Sequence, residues 1–135
     1  MATHLVIGDP HCTPKANNDR FLWAGRLAAD FKVTHVICMG DFCSMDSLSS
    51  YDRAKKSFEG RRYQKDMEHS HEALSLFNKG LGKHKPRKIM IHGNHEDRID
   101  RFVDDNPELD GTLKISDLKF RQYGWQEVPY KQIKI

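Results

Sequence analysis

Leu5-Val6-Ile7-Gly8-Asp9-Pro10-His11, Val36-Ile37-Cys38-Met39-Gly40-Asp41 and Ile89-Met90-Ile91-His92-Gly93-Asn94-His95-Glu96 are three versions of one pattern. In each, an apolar run leads to a glycine, and the glycine to a side chain able to bind a metal. Short runs that are apolar throughout read as buried strands of a parallel sheet. Gly8, Gly40 and Gly93 let the backbone turn sharply at the strand end and leave room for a ligand. In open α/β sheets ligands bind outside the carboxyl ends of the strands, where all three strings fall. One such pair alone is an ordinary turn. Three in register, with Asp-x-His and Asn-His among them, point to a divalent-metal site.

The segments between these strings carry helical spacing. Asn17 or Asn18 is placed to cap a helix running to Phe31, with Phe21, Ala24, Ala28 and Phe31 on its apolar stripe. After a Ser-rich stretch from Phe42 to Asp52, a longer helix is expected from Ser57 to Lys79, stopped by Gly80 and Gly82. A third helix is expected from Glu96 to Asp105, ended by Asn106-Pro107. A short helix at Ser116 to Tyr123 and a last strand over Val128 to Ile135 complete the reading. The order βαβαβα predicts an α/β fold, a mainly parallel sheet flanked by helices.

Composition sets bounds. A chain of 135 residues makes one domain. A net charge of +3 does not by itself imply nucleic-acid binding. No apolar run reaches the roughly 18 residues of a membrane span, and no signal peptide is visible at the N-terminus. Three cysteines, Cys12, Cys38 and Cys43, fit reduced thiols of a cytoplasm better than a disulfide framework.

The candidate ligands are Asp9, His11, Asp41 and Asn94. Pro10 biases Asp9 towards extended backbone, where residues i and i+2 share a side, so Asp9 and His11 are expected to reach one ion. Asp41 has two carboxylate oxygens with which to bridge two ions, and Asn94 offers a neutral carbonyl. His95, beside it, is left to act on the substrate. Oxygen and imidazole donors together suit Mn, Fe, Zn or Ni better than Ca or Mg. His69 and His71 fall on a helix, where i and i+2 point apart, and His92 points away from Asn94. His4, His35 and His84 read as surface residues. Cys12 and Cys43 read as small packing residues.

Asp9-Pro10-His11, Gly40-Asp41 and Gly93-Asn94-His95-Glu96 resemble the first three motifs of the calcineurin-like metallophosphoesterases, over roughly residues 4 to 100. Ser44 to Tyr63 also resembles members from tailed bacteriophages and prophages. The resemblance implies the first half of an αββα sandwich and one or two divalent ions per site. It implies hydrolysis of phosphate mono- or diesters through a metal-activated water. Asp9 and His11 would bind the first ion, Asp41 would bridge as a catalytic residue, and Asn94 would bind the second. His95 would donate a proton to the leaving oxygen or stabilise charge on the phosphoryl group. The substrate would be a nucleotide, a nucleic acid or a phosphoprotein, in the cytoplasm, or the host cytoplasm for a phage-encoded chain.

The chain departs from the family in one respect: no histidine follows His95, whereas the family's later motifs supply three more imidazoles. The domain is therefore read as incomplete. Its complement is a C-terminal polypeptide, a second copy in a homo-oligomer, or nothing, in a reduced relative that acts as a binding or assembly module. A sheet face left uncovered would favour such association. Charge adds one more reading. Arg53 to Lys65 holds six basic residues and one acidic one. Within it Arg61 and Arg62 are placed to steer a phosphorylated substrate, with Arg98 a further phosphate contact. A nucleic-acid-binding role for this basic stretch is the remaining alternative.

Overall fold

The computed structural model describes residues 1–49, 56 and 62–132. Arg61, the expected helix start at Ser57 and most of the phage-like stretch lie outside the described residues. Four parallel strands form one sheet in the order β1-β2-β3-β4: β1 His4–Ile7, β2 His35–Cys38, β3 Arg87–Ile91 and β4 Trp125–Val128. The helices are α1 Asp19–Asp30, α2 Tyr63–Leu81 and α3 Asn94–Asp105. The α/β class expected from the alternation of strands and helices is the one observed. No helix among the described residues is long and apolar enough to cross a membrane.

Alternation along the strands sorts the two faces. Val36, Cys38 and Met90 point into the core, which they share with Phe21 and Ala28 of α1 and Ala73, Leu74 and Phe77 of α2. A sheet wound in one direction by right-handed crossovers places α1 and α2 on the same face. On the opposite face, Val6, Ile37 and Ile89 are register partners in one row. Val6 is 58% exposed and the two isoleucines are half-buried.

Five local readings are corrected or refined. Phe31 is not core: it caps α1 and is 70% exposed. Of Asn17 and Asn18, Asn17 Oδ1 accepts the Asp19 N–H at 2.6 Å, whereas Asn18 takes the N-cap place without a capping bond and its amide donates to the His69 carbonyl and Glu72 Oε1, tying α1 to α2. Among the described residues the last strand is Trp125–Val128, and the strand expected over Val128 to Ile135 is absent from 129–132, with 133–135 outside the described residues; Ser116 to Tyr123 forms two 3₁₀ turns, Ile115–Leu118 and Arg121–Tyr123. Gly80 does not stop α2. The helix runs to Leu81 and ends at Gly82, whose φ of 58° only glycine adopts freely.

Gly80 serves the crossing of α1 and α2. A Cβ there would collide with the Leu22 carbonyl oxygen and the Arg26 nitrogen, and one at Gly25 with the Phe77 carbonyl oxygen. The clash is with backbone, which cannot swing aside, so overpacking, which costs roughly 1–3 kcal/mol or more, outweighs the gain of about 1 kcal/mol in helix propensity. Gly80→Ala is expected to lower the melting temperature by several degrees in a thermal unfolding scan. An unchanged midpoint would show that the crossing has slack.

Candidate metal centre

Beyond Ile7 the chain does not stay extended. Asp9 and His11 have φ of 25° and 47°, so the alternation that would have put both side chains on one side is broken. A short ladder replaces it. His11 N–H donates to Asp41 O at 2.9 Å, Cys12 N–H to Phe42 O at 2.7 Å, and Ser44 N–H to Cys12 O at 2.9 Å. This ladder, which continues the β1–β2 pairing past the strands, brings His11 against Asp41.

Asp41 divides its carboxylate. Oδ1 accepts the main-chain N–H of His95 at 2.9 Å, while Oδ2 faces His11 Nε2 at 3.9 Å. The His11 and His95 rings stand nearly perpendicular, 86° apart, with centroids separated by 4.5 Å. His95 Nδ1 lies 2.6 Å from Ser44 O. A carbonyl only accepts, so Nδ1 carries the proton and Nε2 keeps the lone pair. Burial holds the His95 pKa below its usual value, against the opposing pull of the Ser44 carbonyl.

His11, Asp41 and His95 thus offer three ligand atoms within 4.8 Å of one another, from three segments of the chain. Two imidazoles and a carboxylate on an open edge suit a divalent cation of the Mn, Fe, Zn or Ni type. The bond from His95 Nδ1 to a main-chain carbonyl is the support that metal-binding histidines ordinarily have. Asp9 and Asn94 stand differently. Asp9 is exposed and outside this group of three; Asn94 is exposed as the first residue of α3, and its main-chain oxygen accepts from Arg101 Nη2 at 2.8 Å.

The glycines of the three strings are not equivalent. Gly40 has φ 107°, and a Cβ on it would come within 3.0 Å of Gly93 Cα. A Cβ on Gly93 would overlap Asp41 Oδ1 and the Asp41 nitrogen. Gly8 faces open space. Close approach is thus needed where the ends of β2 and β3 meet.

Two supporting residues were not singled out by sequence. Ser44 supplies the carbonyl that orients His95. Glu96 is fully buried, and its Oε1 accepts from Phe42 N and Gly93 N at 3.2 Å each, clamping the turns after β2 and β3. Burial pushes its pKa up to about 7. A Gly-x-x-Glu pattern at a helix start was the available signal, since it has the spacing of a capping box. Nothing in the Ser-rich stretch marks Ser44, because its main chain does the work.

Of the basic residues, Arg98 turns inward: Nη1 donates to Ser44 O at 2.9 Å and lies 4.0 Å from Asp46 Oδ1. Arg62 is exposed at the N-cap of α2. The other histidines have structural partners. His92 is buried and pairs with Glu127 Oε1 at 2.9 Å. His69, His71 and His84 bond the carbonyls of Ala16, Asp117 and Val33, and His4 stacks on His35.

Cys12, Cys38 and Cys43 are 3%, 0% and 1% exposed, and burial pushes the Cys38 thiol up to about 12. All three are expected to resist iodoacetamide in the native protein at pH 8 and to react fully in denaturant, as mass spectrometry would record. Rapid native alkylation would contradict their packing.

A family model described as calcineurin-like phosphoesterase matches residues 3–131. No curated protein and no solved structure matches the chain.

Proposed function

Because the chain belongs to the calcineurin-like phosphoesterase family, we propose that it hydrolyses phosphate mono- or diesters with a divalent cation held by His11, Asp41 and His95. The convergence of these three side chains carries the reading. A bound cation of this kind neutralises phosphoryl charge and lowers the pKa of an attacking water. Asp41 orders the turn into α3 through its bond to His95 N–H. His95 Nε2 would give its lone pair to the cation, with Nδ1–H held on the Ser44 carbonyl. Asp9 and Asn94 complete the ligand set from the rim. Arg98 positions the Ser44 carbonyl, and Arg61 and Arg62 draw in the phosphorylated substrate.

The experiment is hydrolysis of an aryl phosphate monoester and a bis-aryl diester with added Mn, then with a chelator. Turnover lost on chelation and restored by Mn supports the reading; turnover indifferent to chelation sinks it. As a ligand, His95 is expected to lose metal affinity and turnover together in His95→Ala; turnover lost with metal affinity unchanged would make it a proton donor instead.

A second reading, an assembly module, is favoured by the apolar row of Val6, Ile37 and Ile89 on the face opposite α1 and α2. There a second copy or a complementary polypeptide would cover the sheet and bring further ligands. Native mass above that of one chain, lost in Ile37→Lys, is its signature. A monomeric native mass removes it.

A further inference from the structure

At the end of β3 remote from the metal centre, we infer that a pocket built on the Lys88 ammonium binds a small oxyanion, a carboxylate or a tetrahedral anion such as sulfate. The pocket has a volume of about 330 Å³, and Asn78, His84, Lys85, Lys88 and Gly124 are among its walls. Its floor is charged. Lys88 is only 8% exposed, yet its ammonium meets neutral acceptors, Asn78 Oδ1 and Tyr123 O, and no carboxylate among the described residues pairs with it. Two of three N–H donors are therefore used. A buried charge without a counter-ion is costly, and burial alone pulls the Lys88 pKa down to about 8.

The surroundings supply positive charge. Trp125, the register partner of Lys88, belongs to the core and presents its ring to the ammonium, 5.4 Å from the ring centroid, but brings no countercharge. Lys85 adds an exposed cation to the wall. The C-terminal end of α2 would oppose an anion if its carbonyls were free. Those of Asn78 and Lys79 accept from Gly82 N–H, and that of Leu81 accepts from His84 N–H. An oxyanion in the pocket gives Lys88 both its missing counter-charge and an acceptor for the third N–H.

The test is the acetylation rate of Lys88, resolved by mass spectrometry, with exposed Lys79 and Lys83 in the same sample as references. Sulfate and succinate are compared with chloride at equal ionic strength. At pH 7, an anion that raises the Lys88 pKa by one unit cuts its free-amine fraction about tenfold, so protection of about that size, confined to Lys88, is expected. Protection by sulfate alone identifies a tetrahedral site, and protection by succinate alone a carboxylate site. Lys85→Gln, an exposed change that leaves the core untouched, is expected to weaken it. Lys88 slowed no more than Lys79 and Lys83, or protection undiminished in Lys85→Gln, overturns the inference.

Discussion

Asp41→Asn is expected to lower Mn-dependent phosphoester turnover by at least about 100-fold, the upper end of what loss of a mere supporting partner costs a metal site. The substitution is chosen for what it keeps. Asparagine retains an oxygen for the His95 N–H now held by Oδ1, so the turn into α3 survives. It removes the negative charge, and Oδ2, which faces His11, becomes an amide or a neutral oxygen. Loss of turnover with an unchanged melting temperature would place the defect in the chemistry. A variant turning over at the parent rate would remove Asp41 from the site.

The second large effect is steric. Gly93 has φ of −98° and ψ of −174°, a conformation open to alanine, so Gly93→Ala carries no backbone penalty of its own. Its added methyl would nonetheless occupy the space of the Asp41 carboxylate and nitrogen. Asp41 must move, and the ends of β2 and β3 with it. Overpacking of this kind costs roughly 1–3 kcal/mol, and displacing a reacting group by about 1 Å costs on the order of 100-fold in rate. Gly93→Ala is expected to lose both stability and activity. Gly8→Ala, which meets nothing within 4 Å, is expected to shift stability by no more than about 0.5 kcal/mol. Equal effects of the two changes, read by denaturant titration and by turnover, would refute the close packing at Gly93.

The contrast between these glycines shows what was legible in the sequence. Each looked like a turn residue after a strand, and the three strand positions followed from the apolar runs. The class of fold followed from their alternation with helical segments. What each glycine touches depends on neighbours far along the chain, which no local pattern encodes. Gly80 read as a helix stop for the same reason; its partner, Gly25, lies on another helix.

The site was legible as a set of donor types at strand ends, and His11, Asp41 and His95 are brought together there. The route was not. Extended geometry from Asp9 to His11 followed from the rule for residues before proline, whereas the chain adopts positive φ at Asp9, His11, Asp41 and Met45. Such backbone is held by surrounding structure and clusters at functional sites; here the holding bonds are the ladder from His11 to Ser44 and the Glu96 clamp. The last strand was displaced because alternation over Val128 to Ile135 outweighed the four-residue run that begins at Trp125.

Anomalous diffraction from crystals grown with manganese tests the central claim most directly. The predicted result is a peak bonded to His11, Asp41 and His95 at about 2.0–2.2 Å, the range for imidazole and carboxylate ligands. Ordered side chains at these three positions with no peak between them would contradict it.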